Sequence, residues 1–355
     1  MTMANPTIED ICHRYFIRYS RLDGAIPYAF SGAQGNQLIV FIDLYGLYRT
    51  IYSRSFRTQI TDYVSFTSEM VNICAHYRAY FKKRGIKTKI FLISSFNTPS
   101  CIKAMIPEYN KTMDDKRSNK IISEMMDFNF NLLEILCPYL PDIFFLKTEF
   151  ESSVLMYEII NREKKPALII STDLYPIQLC TELPNVAYMW PAWIRNEKGE
   201  TEDISPICPP IGHSEQNLSF TYIIRRKSGK SMSERARGVV IASNYMLLGA
   251  LNQFKERDLV PQLLNSSTAA KIINETPGGL NNKLFPSDLA DKIDPELFDI
   301  IQRRFNALDI GYQLGIFNNS IEYHSLHYEN LSDPDAVNLI NSKYFRKNPL
   351  DLLRL

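Results

Sequence analysis

Asp43 and Asp173 each follow an apolar run, QLIVFI ahead of the first and PALIIST ahead of the second. An aspartate in that place supplies an anionic oxygen where a buried strand ends. It can cap the next helix, or it can join a site, because functional residues in open α/β sheets gather at the carboxyl ends of the strands. The densest basic run is Arg225, Arg226, Lys227, Lys230, Arg235 and Arg237. Such a run is either a solvated loop or a surface for phosphates. Lys82, Lys83 and Arg84 read more simply as the basic end of a helix. His324 and His327 share a helical face only if 320–328 is helical, and none of the five histidines has the spacing of a metal site.

The elements that must position these residues alternate. Apolar runs at 37–43, 89–94, 142–147, 166–172 and 185–190 read as strands. Between them, 64–84, 118–137 and 152–163 carry helical spacing, with Gly85 closing the first helix and Ser152 or Ser153 placed to cap the third. Strands that are apolar without strict alternation, separated by helices, predict an α/β fold with a parallel central sheet covered on both faces. Five stretches follow: a leader at 1–36, the α/β core at 37–190, an irregular basic connection at 191–238, a mostly helical region at 239–340, and a tail at 341–355.

Composition sets limits. The chain has 355 residues, 45% hydrophobic and 22% charged, enough for one large core with an appended lobe. A net charge of +1 rules out a global basic field, so any nucleic-acid surface must come from local clustering. The cysteines (Cys12, Cys74, Cys101, Cys137, Cys180, Cys208) form no CxxC pair and read as buried thiols of a reducing compartment. With no signal peptide and no membrane-length apolar run, the expectation is an intracellular, cytoplasmic protein without a membrane partner.

Five segments, in order, resemble the flap endonuclease and 5′-3′ exonuclease family, a PIN-like fold, especially its small phage-type members. They are QLIVFIDLYGLYRTIY at 37–52, MIPEYNKTMDDKR at 105–117, SSVLMYEII at 152–160, STDLYPIQL at 171–179 and NYMLLGALNQFKERDLVPQLLNSSTAAKII at 244–273. The resemblance implies that Asp43 and Asp173 occupy metal-ligand positions, with Mg²⁺ as the cofactor. It makes Lys111, Lys116, Arg117 and Lys120 the cations of an arch over single-stranded DNA. It makes 244–273 a helix–turn–helix clamp on duplex DNA, with Ser266, Ser267 and Lys271 beside a phosphate, and it places the 225–237 cations just ahead of that clamp.

The departures from the family matter as much. Ser94 or Ser95 stands where the second strand should end in aspartate, and Ser152 and Ser153 replace a carboxylate run. Tyr175 replaces the second aspartate of the 171–179 motif, and Ala250 or Leu251 replaces another. Two Mg²⁺ ions need carboxylate charge, which hydroxyls do not supply. The leading expectation is therefore a nuclease-fold protein that binds branched or single-stranded DNA without cutting it, with any Mg²⁺ at Asp43 and Asp173 weak or absent. The alternatives are an active nuclease using Glu149, Glu151 or Asp142 as further ligands, and a protein scaffold without DNA binding. In the tail FRKNPLDLLRL, Leu350, Leu352 and Leu353 resemble a peptide that docks on a sliding clamp or another replication protein; a helix end packed on its own domain is the alternative.

Overall fold

The computed structural model describes residues 35–44, 63–95, 117–148, 150–171, 176–183, 185–189 and 285–316, short pieces at 26, 29–30, 271–272 and 275–277, and the backbone of strands at 194–195, 201–202, 219–225 and 231–237. The apolar runs form five parallel strands, β1 (Gln37–Asp43), β2 (Lys87–Ser95), β3 (Ile143–Thr148), β4 (Ala167–Ile170) and β5 (Val186–Met189), in the order β3-β2-β1-β4-β5. The helices between them are α1 (Tyr63–Lys82), α2 (Arg117–Leu136), α3 (Ser152–Glu163) and α4 (Ile177–Glu182). β1 lies at the centre, flanked by β2 and β4.

Both faces of the sheet are buried, which is why its strands are apolar throughout rather than alternating. Leu38, Val40 and Ile42 pack on one side with Met70, Cys74, Tyr77 and Phe81 of α1 and Phe130 and Leu133 of α2. Ile39 and Phe41 pack on the other with Leu155 and Ile159 of α3 and Leu179 and Cys180 of α4. Phe41, Phe91 and Phe144 form a ladder across three strands, with centroid separations of 5.5 and 4.8 Å. Each such ring contributes about 1.5–3 kcal/mol by burial. Gly85, at φ +71°, ends α1, and its N–H donates to the Lys82 carbonyl, as a helix-closing glycine does.

Two expectations are corrected. Ser152 and Ser153 do not cap α3: the N-cap is Glu151, at φ −57° and ψ 140°, and Ser152 is the first helical residue. Its hydroxyl faces β1 instead. The connection at 191–238 is not irregular throughout. It holds two antiparallel pairs, β6 (Ile194–Arg195) with β7 (Thr201–Glu202), and β8 (Ser219–Arg225) with β9 (Ser231–Arg237). The alternation in SFTYIIR is a strand signal that the flanking Pro, Gly and charged residues obscure.

Near the C-terminal end, α5 (Pro295–Leu308) and α6 (Ile310–Ile316) follow a 3₁₀ turn at Pro286–Lys292. Ile310 and Leu314 pack into the cluster formed by α3 and α4. The Ile310 N–H donates to Gln178 Oε1 of α4 at 3.2 Å, and Gln313 Nε2 donates to the Ala307 carbonyl at 2.7 Å. No helix of the described residues is long and apolar enough to cross a membrane.

Candidate functional site

Strand order brings three chain segments together around Asp43. Asp43 ends the central strand level with Ile93, so Ser94 lies one residue further along β2. Ile42 is level with Ile170, so Ser171 leaves β4 beside Asp43 on the other flank. The first turn of α3 completes the group. Ser171 Oγ donates to Asp43 Oδ2 at 2.8 Å, and Ser152 Oγ approaches the same oxygen at 3.5 Å, a weaker contact. Tyr188, fully buried on β5, donates its hydroxyl to the Ser171 carbonyl at 2.8 Å. Ser94 Oγ donates to the Ser95 carbonyl at 3.1 Å.

Asp43 is 4% exposed, and Ser94, Ser95, Ser152, Ser153 and Ser171 are all buried around the same sheet edge. Among the described residues, the Asp43 carboxylate meets neutral hydroxyls at the mouth of a parallel sheet, with the amino terminus of α3 beside it. A hydrogen bond to a charged group contributes about 1.5–3 kcal/mol, so Ser171 fixes the carboxylate firmly. The described residues do not fit a pair of Mg²⁺ ions. No group of three or more His, Cys, Asp or Glu able to hold a metal occurs among them, and hydroxyls leave most of a divalent charge unbalanced.

The other predicted site residues divide three ways. Glu151 stands at the start of α3, next to Ser152. Arg117 and Lys120 lie in the first turn of α2. Lys271 pairs with Glu275 at 3.7 Å along one helical turn. Arg225 closes β8, while Arg235 and Arg237 lie in β9 opposite Thr221 and Ser219. Asp142 is not at the site: it precedes β3 at the opposite edge of the sheet, where Arg78 reaches it at 3.7 Å. Asp173, Tyr175, Glu149, Lys111, Lys116, Arg226, Lys227, Lys230, Ser266, Ser267, Ala250, Leu251, His324, His327, Leu350, Leu352 and Leu353 lie outside the described residues. β1 and β4 are neighbours, and Ser171 is two residues short of Asp173.

Three contacting residues were not legible in the sequence: Ser171 and Tyr188 at this site, and Gln178, which holds α6. Ser171 had one signal, its place between the apolar run and Asp173. Tyr188 and Gln178 had none, since each acts through a partner far away along the chain.

No family model matches the sequence, and no curated protein does. Solved structures do. A bacteriophage T5 flap endonuclease, in a pseudo-enzyme–product complex with DNA and metal ions, superposes with a TM-score of 0.46 at 13% identity, covering 89% of this chain and 98% of that one. A T5 5′-exonuclease with bound zinc gives 0.44 at 11% identity over the same shares. The catalytic core of Rad2 with DNA substrate gives 0.35 at 11%, covering 81% and 79%. The chain is similar to 5′ nucleases. With each of these TM-scores below 0.5, nothing of the neighbours' chemistry carries across on superposition, and the chain's own residues must decide it.

Proposed function

We propose that this chain is a 5′-nuclease-fold protein that binds branched or single-stranded DNA, in replication or repair, without cutting it. The observation that carries the reading is the environment of Asp43, where Ser152, at a position the family resemblance gives to a carboxylate, approaches the same oxygen that accepts from Ser171. A phosphate-cutting pair of metals needs several anionic ligands on this edge. Serines supply shape and hydrogen bonds without the charge. The order of the five motif segments, and a central β1 flanked by β2 and β4, support the nuclease-type frame.

The test is a labelled 5′-flap duplex incubated with the protein in Mg²⁺ or Mn²⁺, with binding followed in parallel in EDTA. The expected result is binding in both buffers and no incision. Clean 5′ incision that disappears in Asp43→Ala would replace this reading with an active nuclease, and Glu151, beside Ser152, would become the first further ligand to test. Binding of no DNA at low salt would favour a protein scaffold. For the tail, the proposal is that Leu350, Leu352 and Leu353 dock on a replication protein such as a sliding clamp. Deleting 349–355 should abolish that pull-down and leave the melting temperature unchanged; a fall of several degrees would assign the leucines to the protein's own core.

A further inference from the structure

At the edge of the sheet opposite Asp43, two stretches far apart in sequence meet. Helices that return between parallel strands end at the amino edge, so the C-termini of α1 and α3 both deliver their following residues there. The stretch 82–89, KKRGIKTK, holds five cations and no acid, and 162–165, REKK, holds three cations and Glu163, a net of seven positive charges. The start of β1 runs between the two sides: the Asn36 carbonyl accepts from the Lys87 N–H at 2.7 Å and its side chain donates to the Gly85 carbonyl at 3.0 Å, while on the other side the Ile39 N–H donates to the Pro166 carbonyl at 2.9 Å. Because β1 alone separates β2 from β4, the two stretches lie about 10 Å apart, two strand spacings, and about 20 Å from Asp43 along β1. Lys82, Lys83, Arg84, Lys87, Lys164 and Lys165 are all exposed. Arg84 also lies over the ring of Tyr80, 3.7 Å from its centroid.

Helix ends explain only part of this charge. A helix C-terminus carries roughly half a negative charge, so two of them account for about one cation. Lys82 and Arg162, in the last turns, already meet that need. Among the described residues, the nearby acids are Glu163, which binds Lys89 at 3.0 Å, Asp142, which pairs with Arg78, and Glu158 further up α3. The surplus is large in a protein whose net charge is only +1.

We propose that this amino edge is a second contact surface for nucleic-acid backbone, on the pole of the core opposite Asp43, so that one molecule can hold two segments of nucleic acid at once. The ligand class follows from what the patch lacks. Protein partners anchor on exposed aromatic and aliphatic side chains, and the large exposed hydrophobics among the described residues, Phe128, Ile135, Phe285 and Tyr312, all belong to other segments. A surface of flexible cations without an apolar anchor suits sequence-independent phosphate contact. This inference rests on the proposed DNA-binding role for its ligand class but not for its location.

The test uses the full chain carrying Lys83→Gln, Lys87→Gln, Lys164→Gln and Lys165→Gln together, with melting temperature as the folding control. Anisotropy of a labelled 30-base-pair duplex is read between 50 and 200 mM KCl. Removing one phosphate contact lowers the log–log salt slope by about 0.9, so a drop of about 2 or more and a loss of affinity above about tenfold at 50 mM are expected. Unchanged slope and affinity in the folded variant would overturn the proposal, and the patch would be a solvated face. If Arg225→Ala, Arg226→Ala and Lys227→Ala together abolish binding while the fourfold variant keeps it, the edge is excluded and the DNA-binding role stands. A wild-type protein that binds no duplex at 50 mM overturns this proposal, and one that also binds no 5′-flap or single-stranded DNA overturns both. Preference for a polyglutamate peptide over duplex would replace nucleic acid with an acidic protein partner.

Discussion

Ser171→Asp tests whether the Ser171 hydroxyl lies close enough to Asp43 for a carboxylate in its place to form a site for a divalent ion. Ser171 Oγ is 2.8 Å from Asp43 Oδ2. A carboxylate at position 171 would put two negative charges about 4 Å apart, a repulsion of about 4 kcal/mol at an effective dielectric of 20. The pair can escape by sharing one proton, which at pH 7 costs about 1.4 kcal/mol for each unit above an aspartate pKa near 3.9, again about 4 kcal/mol. The variant should therefore melt about 8 °C below wild type, taking about 2 °C per kcal/mol. Two cures follow from that cause. Lowering the pH to about 4.5 should restore most of the loss, and a divalent ion should do so at neutral pH. An ion at a hundred times its Kd returns about 2.7 kcal/mol, or about 5 °C. Differential scanning fluorimetry in EDTA, 10 mM Mg²⁺ and 1 mM Mn²⁺ reads all three effects, with wild type expected to respond to none of the ions. A variant that melts within about 2 °C of wild type, or one that neither acid nor ions rescue, would refute the proposed juxtaposition.

Three further outcomes follow from single contacts. Tyr188→Phe removes the donor to the Ser171 carbonyl and should lower stability by about 1–3 kcal/mol, the cost of a buried acceptor left unsatisfied, measured by urea denaturation. Gln178→Leu should cost a similar amount by removing the acceptor for the Ile310 N–H; hydrogen exchange should rise in 310–316 and stay unchanged in 37–43. Burial pushes the Cys74 thiol up to about 12, and raises that of Cys137 well above its ordinary value, with the neighbouring Cys74 adding to the rise. Neither should react with a disulfide reagent at pH 8 until the protein unfolds. Unfolded thiols titrate near 8.5 while the folded ones keep their protons, so the unfolded chain binds fewer protons above that pH. Their contribution to stability is complete below about pH 8.5 and falls as pH rises toward 12, at up to about 1.4 kcal/mol per pH unit for each thiol.

The sequence by itself determined the elements of the core. The apolar runs at 37–43 and 166–172 read as strands buried on both faces, and 152–163 carried its helix within its own spacing, because burial and helical period are local properties of a segment. The place of Asp43 at a strand end was legible for the same reason. Other features depended on which strands became neighbours. The order β3-β2-β1-β4-β5 sets Ser171 against Asp43 and Tyr188 against Ser171, and it closes the gap between 82–89 and 162–165. Periodicity says that a strand is buried but not beside which strand it is buried. The start of α3, with Glu151 rather than a serine at the N-cap position, and the pairing of β8 with β9 were likewise decided in three dimensions. In the first case the Ser152 hydroxyl turned to Asp43, far away along the chain, instead of capping its own helix. Segment identity came from local sequence because it is set by burial and period. The composition of the site came from tertiary structure because a hydrogen bond between residues 43 and 171 exists only once their strands lie side by side.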